Sequence, residues 1–487
     1  MAIRFTPKLF QKFRPLSSSS STLPVLSLNF GSKPESLSSN QPENENPDSV
    51  LNFNDTQKLF STFSTKKLIR SVFNLNMASM DPVVDMGIWI MRSKLIEVPV
   101  FRQAIFGSVK HSFYEQFVAG KDLKETSKTV EKIYEAGLRG MLNYGLEHAY
   151  DNLSCDQNYE TFLNTIESTK FFPPSSISFV IVKISAICPM ELLEKISDLL
   201  RWEKQDPSFK LNWKQNTLPI FSNSSPLYHT LKKPQPLTPQ EEQDLDLTHQ
   251  RLTKLCQKCV DLNVTLTVDA EDTKIQPGID YLTYISVIQF NKLGDHIPIV
   301  YGTIQAYLKD AKERLFLAYN AAEKMGIPLG FKLVRGAYMS IETKLANSLG
   351  FESPIHDTIQ DTHNCYNECA SYMLNKIDNG SGAVVLATHN VQSGQMAATK
   401  AKDLGIGREN ERLQFAQLYG MSEALSHGLK NAGFQVSKYL TFGPVEEVIP
   451  YLLRRAEENR GVLSSSSLDR QLMGLELKRR IKAGFGL

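Results

Sequence analysis

The sequence predicts an α/β fold, a distorted (βα)8 barrel of the TIM type with an N-terminal helical arm and a disordered transit segment, on three observations. Past about residue 120, short apolar runs alternate with longer segments able to form helices. The runs number eight, the count at which a parallel sheet closes on itself. Several are apolar almost without interruption, as strands covered on both faces must be. The alternation by itself is also compatible with an open doubly wound sheet.

The elements follow in order. From Met1 to Lys33 there is no Asp or Glu, while Arg4, Lys8, Lys12, Arg14 and Lys33 accompany the run Ser17 to Ser21. A basic, Ser-rich, acid-free start with Ile3, Phe5, Leu9, Phe10 and Phe13 among its cations reads as an organellar transit peptide, with mitochondrion and chloroplast both open on composition. Residues 34–56 are polar and rich in Pro and Asn and read as a linker, so 1–56 is taken as transit peptide plus disordered linker. Residues 57–120 form a helical arm, with helices expected over 65–80 and 83–118. The barrel then occupies 121–487, with strands at 139–144, 177–187, 264–270, 298–304, 330–336, 383–388, 413–418 and 437–442. The spacing is regular except for an insertion at about 202–237, either a surface excursion or part of a lid. It ends at Thr238-Pro239-Gln240-Glu241, where Thr as N-cap, Pro at N1 and Glu at N3 announce a helix to about Val260.

Composition narrows the function. The 487 residues carry 54 basic and 52 acidic side chains, a net charge of +2 with no long basic run outside the N-terminus, so nucleic-acid binding has little support. No run of 18 uncharged apolar residues suggests a membrane-spanning helix. Of six cysteines, Cys256 and Cys259 form a CxxC within a helical pattern, without a second pair or nearby His, and read as ordinary apolar helix residues. GxGxxG after a strand, Walker, HExxH and GxSxG motifs are all missing, which leaves no motif for a Rossmann nucleotide fold, a metal or a serine nucleophile.

In such a barrel the chemistry sits where the strands end, because the loops converge there over the axis. Polar residues fall late in the runs or just after them: Lys183, Asp269 and Glu271, Gln305, Lys332 and Arg335, Thr388 to Asn390, Gln417, and Tyr439. Singly, each is an ordinary strand-end residue; the repetition is the signal. After the last strand, Tyr451, Arg454, Arg455 and Glu458 stand at i, i+3, i+4 and i+7 on one helical face. Two neighbouring guanidinium groups make a clamp for a planar carboxylate, with Glu458 placed to pair with either. A solvated charged face is the alternative for this segment alone.

The segments KISA (183–186), VDAE (268–271), YGTIQAY (301–307), KLVRGAY (332–338), ATHN (387–390), QLYGM (417–421), YLTFGP (439–444) and YLLRRAEEN (451–459) resemble the proline dehydrogenase family, eukaryotic mitochondrial and plant-like in type. The resemblance runs from about Gly140 to Asn459. It implies FAD-dependent oxidation of L-proline to 1-pyrroline-5-carboxylate by hydride transfer to flavin N5, the first step of proline catabolism. A quinone acceptor in the respiratory chain and peripheral association with the inner membrane, matrix side, are further implications. By motif match, Lys183, Arg454 and Arg455 hold the substrate carboxylate, and Asp269 hydrogen-bonds Tyr439, which lines the pocket with Tyr451 and Leu418. Glu147 pairs with Arg454 to gate the site. Gln305, Lys332, Val334, Gly336, Ala337, Tyr338, Thr388, His389, Asn390, Gln417 and Glu458 match cofactor-binding positions. Asn143 and Lys332 depart from the Asp and Arg common in the family, and no metal is implied. A hydroxyproline dehydrogenase is the other enzyme this resemblance leaves open.

Overall fold

The computed structural model describes residues 50–292, 297–459 and 466–484. The transit-peptide reading and most of the linker reading therefore fall outside the described residues. Eight parallel strands close a barrel in sequence order: β1 (Arg139–Tyr144), β2 (Ile177–Val182), β3 (Thr265–Val268), β4 (Val300–Gln305), β5 (Gly330–Val334), β6 (Ala383–Ala387), β7 (Leu413–Leu418) and β8 (Val436–Phe442). Closure is direct, Met141 of β1 pairing with Tyr439 of β8, so the open-sheet alternative is excluded.

Alternation along the strands sorts the core into two layers. Met141, Phe179, Ile181, Tyr301, Val385 and Ala416 fill the barrel, where the Phe179 and Tyr301 rings meet edge to face at 5.1 Å. Their neighbours Leu142, Val180, Val182 and Leu386 face outward into the larger layer beneath the helices. Gly330 is needed inside, because a Cβ there would meet the Tyr301 ring at 2.5 Å.

Strand ends shift by a residue or two, and two larger readings of the sequence are corrected. The 177–187 run is not one strand: β2 stops at Val182, and Ile184–Ile187 make a helical turn capped by Lys183. Past Ile177 both pieces are buried throughout, so hydropathy could not divide them. The 83–118 helix is broken into Asp81–Arg92, a 3-10 turn at Lys94–Glu97, Pro99–Val109 and a π turn at Lys110–Tyr114. Pro99 has no N–H to donate and starts a new helix at its first position. The helix after the insertion is Pro239–Leu262, with the full Thr238/Glu241 capping box, and ends at left-handed Asn263.

The insertion is fastened along the barrel wall. Gln215 N–H donates to the Tyr281 hydroxyl at 3.0 Å, Ser225 to Asp310 at 2.6 Å, and His229 Nε2 meets Thr273 Oγ1 at 2.8 Å. Residues from 59 to 118 pack with the helix Val445–Glu458 through Leu68, Tyr114, Phe117, Val448 and Leu452. Tyr114 OH donates to Gly443 O at 2.7 Å and Ala119 N–H to Thr441 O at 2.8 Å. A C-terminal helix, Ser467–Gly484, lies against Thr65–Ala78, and its Asp469 receives the N–H groups of Glu423 and Ala424 at 2.8 and 2.9 Å. The elements that close the site are thus braced from both ends of the described chain.

Candidate active site

The polar residues of the strand ends converge over one mouth of the barrel. Asp269, the first residue after β3, is buried and carries three partners. The Tyr439 hydroxyl of β8 donates to Oδ2 at 2.8 Å, Lys332 Nζ of β5 pairs with Oδ1, and Lys183 Nζ lies 3.4 Å from Oδ2. Burial pushes the Asp269 carboxyl up, but Lys332 and Lys183 outweigh it and hold it below its usual range. Burial lowers Lys332, with Lys183 adding repulsion and Asp269 opposing. Lys183 is pulled down by burial, yet Tyr338, Glu147, Asp269 and Glu271 together hold it well above the ordinary lysine value. Lys183 is therefore a fixed positive charge at the floor of the mouth.

Glu147, in the loop after β1, bridges this cluster to the roof. Its Oε1 lies 2.8 Å from Arg454 Nη2 and 3.6 Å from Lys183 Nζ. Burial would raise its pKa, but Lys183 and Arg454 bring it to about 2. The two arginines do not point alike. Arg454 reaches Glu147 and keeps 29% of its side chain exposed, whereas Arg455 is buried, lies 4.8 Å over the Tyr451 ring and pairs with Glu458. Tyr451 is buried, its hydroxyl 3.4 Å from Phe117 O.

On the other half of the rim, β5 to β7 present hydrogen-bonding groups and little bulk. Val334 ends β5, and Gly336 and Ala337 follow it with both residues exposed. Gly336 has φ +138°, in the region that favours glycine, and a Cβ there would strike the Tyr307 ring at 2.4 Å. Tyr338 then caps the helix Met339–Ser348, its hydroxyl pKa raised chiefly by burial. Gln305 Nε2 donates to Glu271 O at 2.8 Å. Gln417 accepts from Ser426 at 2.9 Å and donates to Thr388 O at 3.3 Å. Thr388 Oγ1 accepts from Asn390 N–H at 3.0 Å, and Asn390 caps the helix Val391–Asp403.

His389 Nε2 accepts the Leu418 N–H at 3.1 Å. Burial, with Arg455, Lys438 and Arg335 nearby, lowers its pKa to about 3. The ring is therefore neutral near pH 7, and because Nε2 accepts, its proton sits on Nδ1 as a donor. Asn143 and Thr441 share a bond of 3.2 Å below the mouth.

Comparison with known proteins identifies the family. The family profile described as "Proline dehydrogenase" matches residues 126–468. The chain is 52% identical over 486 residues to "Proline dehydrogenase 2, mitochondrial" of Arabidopsis thaliana, covering 99% of this chain and 100% of that protein. It is 54% identical over 472 residues to "Proline dehydrogenase 1, mitochondrial" of the same plant, covering 96% and 94%. The chain belongs to the proline dehydrogenase family. It is an oxidoreductase of proline catabolism. Among solved structures, proline utilization A from Bdellovibrio bacteriovorus, inactivated by N-propargylglycine, aligns with a TM-score of 0.57 at 19% identity. The match covers 84% of this chain but 38% of that one, and it speaks to the fold alone.

Several neighbours of the site were given no role from the sequence. Arg335, noticed at its strand end but given no role, donates to Thr388 Oγ1 at 2.7 Å, Ser393 Oγ at 2.8 Å and His363 Nδ1 at 3.1 Å, all neutral groups. Glu271, two residues past Asp269, is fully buried, accepts from Ser185 Oγ at 2.8 Å and has His148 Nε2 at 3.6 Å. It was named at its strand end in the VDAE segment, without a role. His148 carried none, since its partner lies on a different loop.

Proposed function

We propose that the chain oxidises L-proline to 1-pyrroline-5-carboxylate with FAD as hydride acceptor, and that Arg454, Arg455 and Lys183 bind the substrate carboxylate. The observation that carries the reading is the set of three cations at one mouth, two of them buried, around carboxylates that a substrate anion can replace as partner. Desolvated charge-assisted hydrogen bonds of this kind are each worth about 1.5–3 kcal/mol, so a small amino acid is anchored mainly by its carboxylate.

The β5–β7 rim suits a flat, hydrogen-bonding cofactor. Gly336 and Ala337 leave the backbone after β5 bare and exposed, while Lys332, Arg335 and the Nδ1–H of His389 supply donors. Bound there, FAD would supply a two-electron acceptor, taking hydride at N5 from the proline carbon beside nitrogen. Lys332, Gln305, Val334, Gly336, Ala337, Tyr338, Thr388, His389, Asn390 and Gln417 are the residues to hold it, with Glu458 acting through Arg455. The chain's own contribution is orientation: it anchors the carboxylate, confines the ring with Tyr439, Tyr451 and Leu418, and excludes water by the Glu147–Arg454 bridge. Asp269 fixes the Tyr439 ring by its hydroxyl, so that face of the pocket cannot retreat.

The mitochondrial matrix side is the proposed location, on the names of the two plant relatives and the acid-free start of the sequence. Among the described residues no helix is long and apolar enough to cross a membrane. Peripheral binding with a quinone as electron acceptor fits the arm, where Phe73, Met86, Trp89, Val100 and Phe101 are exposed. The test is product analysis: purified protein given L-proline and an artificial acceptor should form a cyclic imine two hydrogens lighter than proline. Unchanged proline would exclude the activity.

A further inference from the structure

Oxidation of an amino acid at the carbon beside nitrogen requires a neutral amine, because the nitrogen lone pair forms the new C=N bond as hydride leaves. Free proline carries two protons on that nitrogen at neutral pH, so one must be accepted in the site and returned to water. Few groups at the mouth can accept it. Glu147 is committed to Arg454 and Lys183, and Asp269 to Lys332, Lys183 and Tyr439, cations and a donor that reduce the proton affinity of both carboxylates. Lys183 is held protonated. His389 spends its lone pair on the Leu418 N–H.

Glu271 is different. It is fully buried two residues beyond Asp269, and among the described residues its Oε1 has no hydrogen-bond partner. Its Oε2 accepts from Ser185 Oγ, and Ser185 stands two residues beyond Lys183. The same Oε2 faces His148 Nε2 at 3.6 Å, and the His148 side chain is 40% exposed. His148 follows the gate residue Glu147 and is held at φ +60°, a left-handed conformation uncommon outside glycine, although histidine adopts it more readily than most residues. Its backbone N–H lies 3.4 Å from Ser185 Oγ, and the next N–H donates to Ser185 O at 2.7 Å. A buried carboxylate with one free oxygen is thus joined to a solvent-touching imidazole.

We propose that Glu271 and His148 form the route by which the substrate's amine proton leaves the site. This rests on the proline-oxidising reading above. The amine gives one proton to Glu271 Oε1 and keeps the lone pair. Rotation of the carboxyl group carries that proton to His148 Nε2, and the imidazolium releases it to water. The nitrogen lone pair is then free to close the C=N bond as the carbon gives up its hydride, which the flavin would accept. Ser185 steadies the carboxylate in its resting position. The titratable and charged groups facing this pair are Glu147 on the loop after β1, Lys183 after β2, Asp272 beside Glu271, and the neutral phenol of Tyr338 after β5. The Glu271 carboxylate beside it raises the His148 pKa, which burial and Lys183 oppose.

The test compares holoenzyme with His148→Asn and His148→Gly, both suited to positive φ, over a pH series. In wild type, kcat/KM should rise as His148 loses its proton. In both variants that limb should vanish, kcat at pH 7 should fall about a hundredfold, and KM for proline should stay within a small factor of wild type. Added imidazole should restore the rate of His148→Gly, which no structural prop would do. Variants that keep the wild-type pH profile, or that lose bound flavin and are not rescued, overturn the relay. A wild-type enzyme that does not turn over proline overturns the underlying reading instead, and the two failures are told apart in the same experiment.

Discussion

The Tyr439 hydroxyl donates to Asp269 Oδ2 at 2.8 Å while Lys332 occupies the other oxygen of the same carboxylate. One buried Asp thereby fixes an aromatic ring from β8 and a cation from β5 across the barrel mouth. Asp269→Asn removes the counter-charge of buried Lys332 and should cost about 3–5 kcal/mol of stability. Tyr439→Phe removes one hydrogen bond to a charged group, about 1.5–3 kcal/mol. Denaturant titrations giving equal losses for the two variants would contradict this ranking.

Arg455 is buried beneath Tyr451 and is paired with exposed Glu458, so little of its charge is spent inside the pocket. Arg455→Met should raise KM for proline roughly 10- to 150-fold, the loss of one charge-assisted contact. Steady-state kinetics with KM unchanged would remove Arg455 from the carboxylate site.

The Tyr439 ring cannot retreat from a substituent on the substrate ring, because Asp269 holds its hydroxyl. Wild type should therefore prefer L-proline to hydroxyproline in kcat/KM, and a smaller residue in Tyr439→Ser should narrow the gap. Equal values for the two substrates in wild type would contradict this role.

Glu147 has a folded pKa of about 2, below the 4.5 of a free glutamate. A depressed carboxyl pKa contributes stability that is present above the unfolded value and lost as pH falls through the folded one. Stability measured in denaturant should accordingly decline by about 3 kcal/mol between pH 4.5 and 2 through this group. Glu147→Gln should lack that part of the decline. A variant with the same acid dependence as wild type would mean that the Arg454 bridge does not form.

For His389, whose pKa is lowered to about 3, the neutral ring with the proton on Nδ1 should persist across the neutral range. Nitrogen NMR of labelled protein reads the tautomer directly. An Nε2-protonated ring, or titration near 6.5, would contradict the Leu418 contact.

Much of the barrel is legible in the sequence because each strand, such as Val180 to Val182 or Val384 to Leu386, is buried on both faces and so reads as an apolar run. What the pattern could not separate is continuous burial with changing backbone. Ile184–Ile187 is as buried as β2 but turns helical after Lys183 leaves the ladder. In the arm, Pro99 divides an apolar segment that periodicity joined. The site was legible wherever a residue's place depended on its own strand end. It was not legible for His148, whose relation to Glu271 exists only because the loops after β1 and β3 meet, nor for Arg335, whose partners Ser393 and His363 come from two later helices.

The central claim is that this mouth joins L-proline to a flavin. An anaerobic absorbance spectrum of the purified protein, recorded before and after L-proline is added, tests it most directly. The account predicts an oxidised flavin spectrum that bleaches on addition of proline; flavin that stays oxidised, or no flavin absorbance at all, would contradict it.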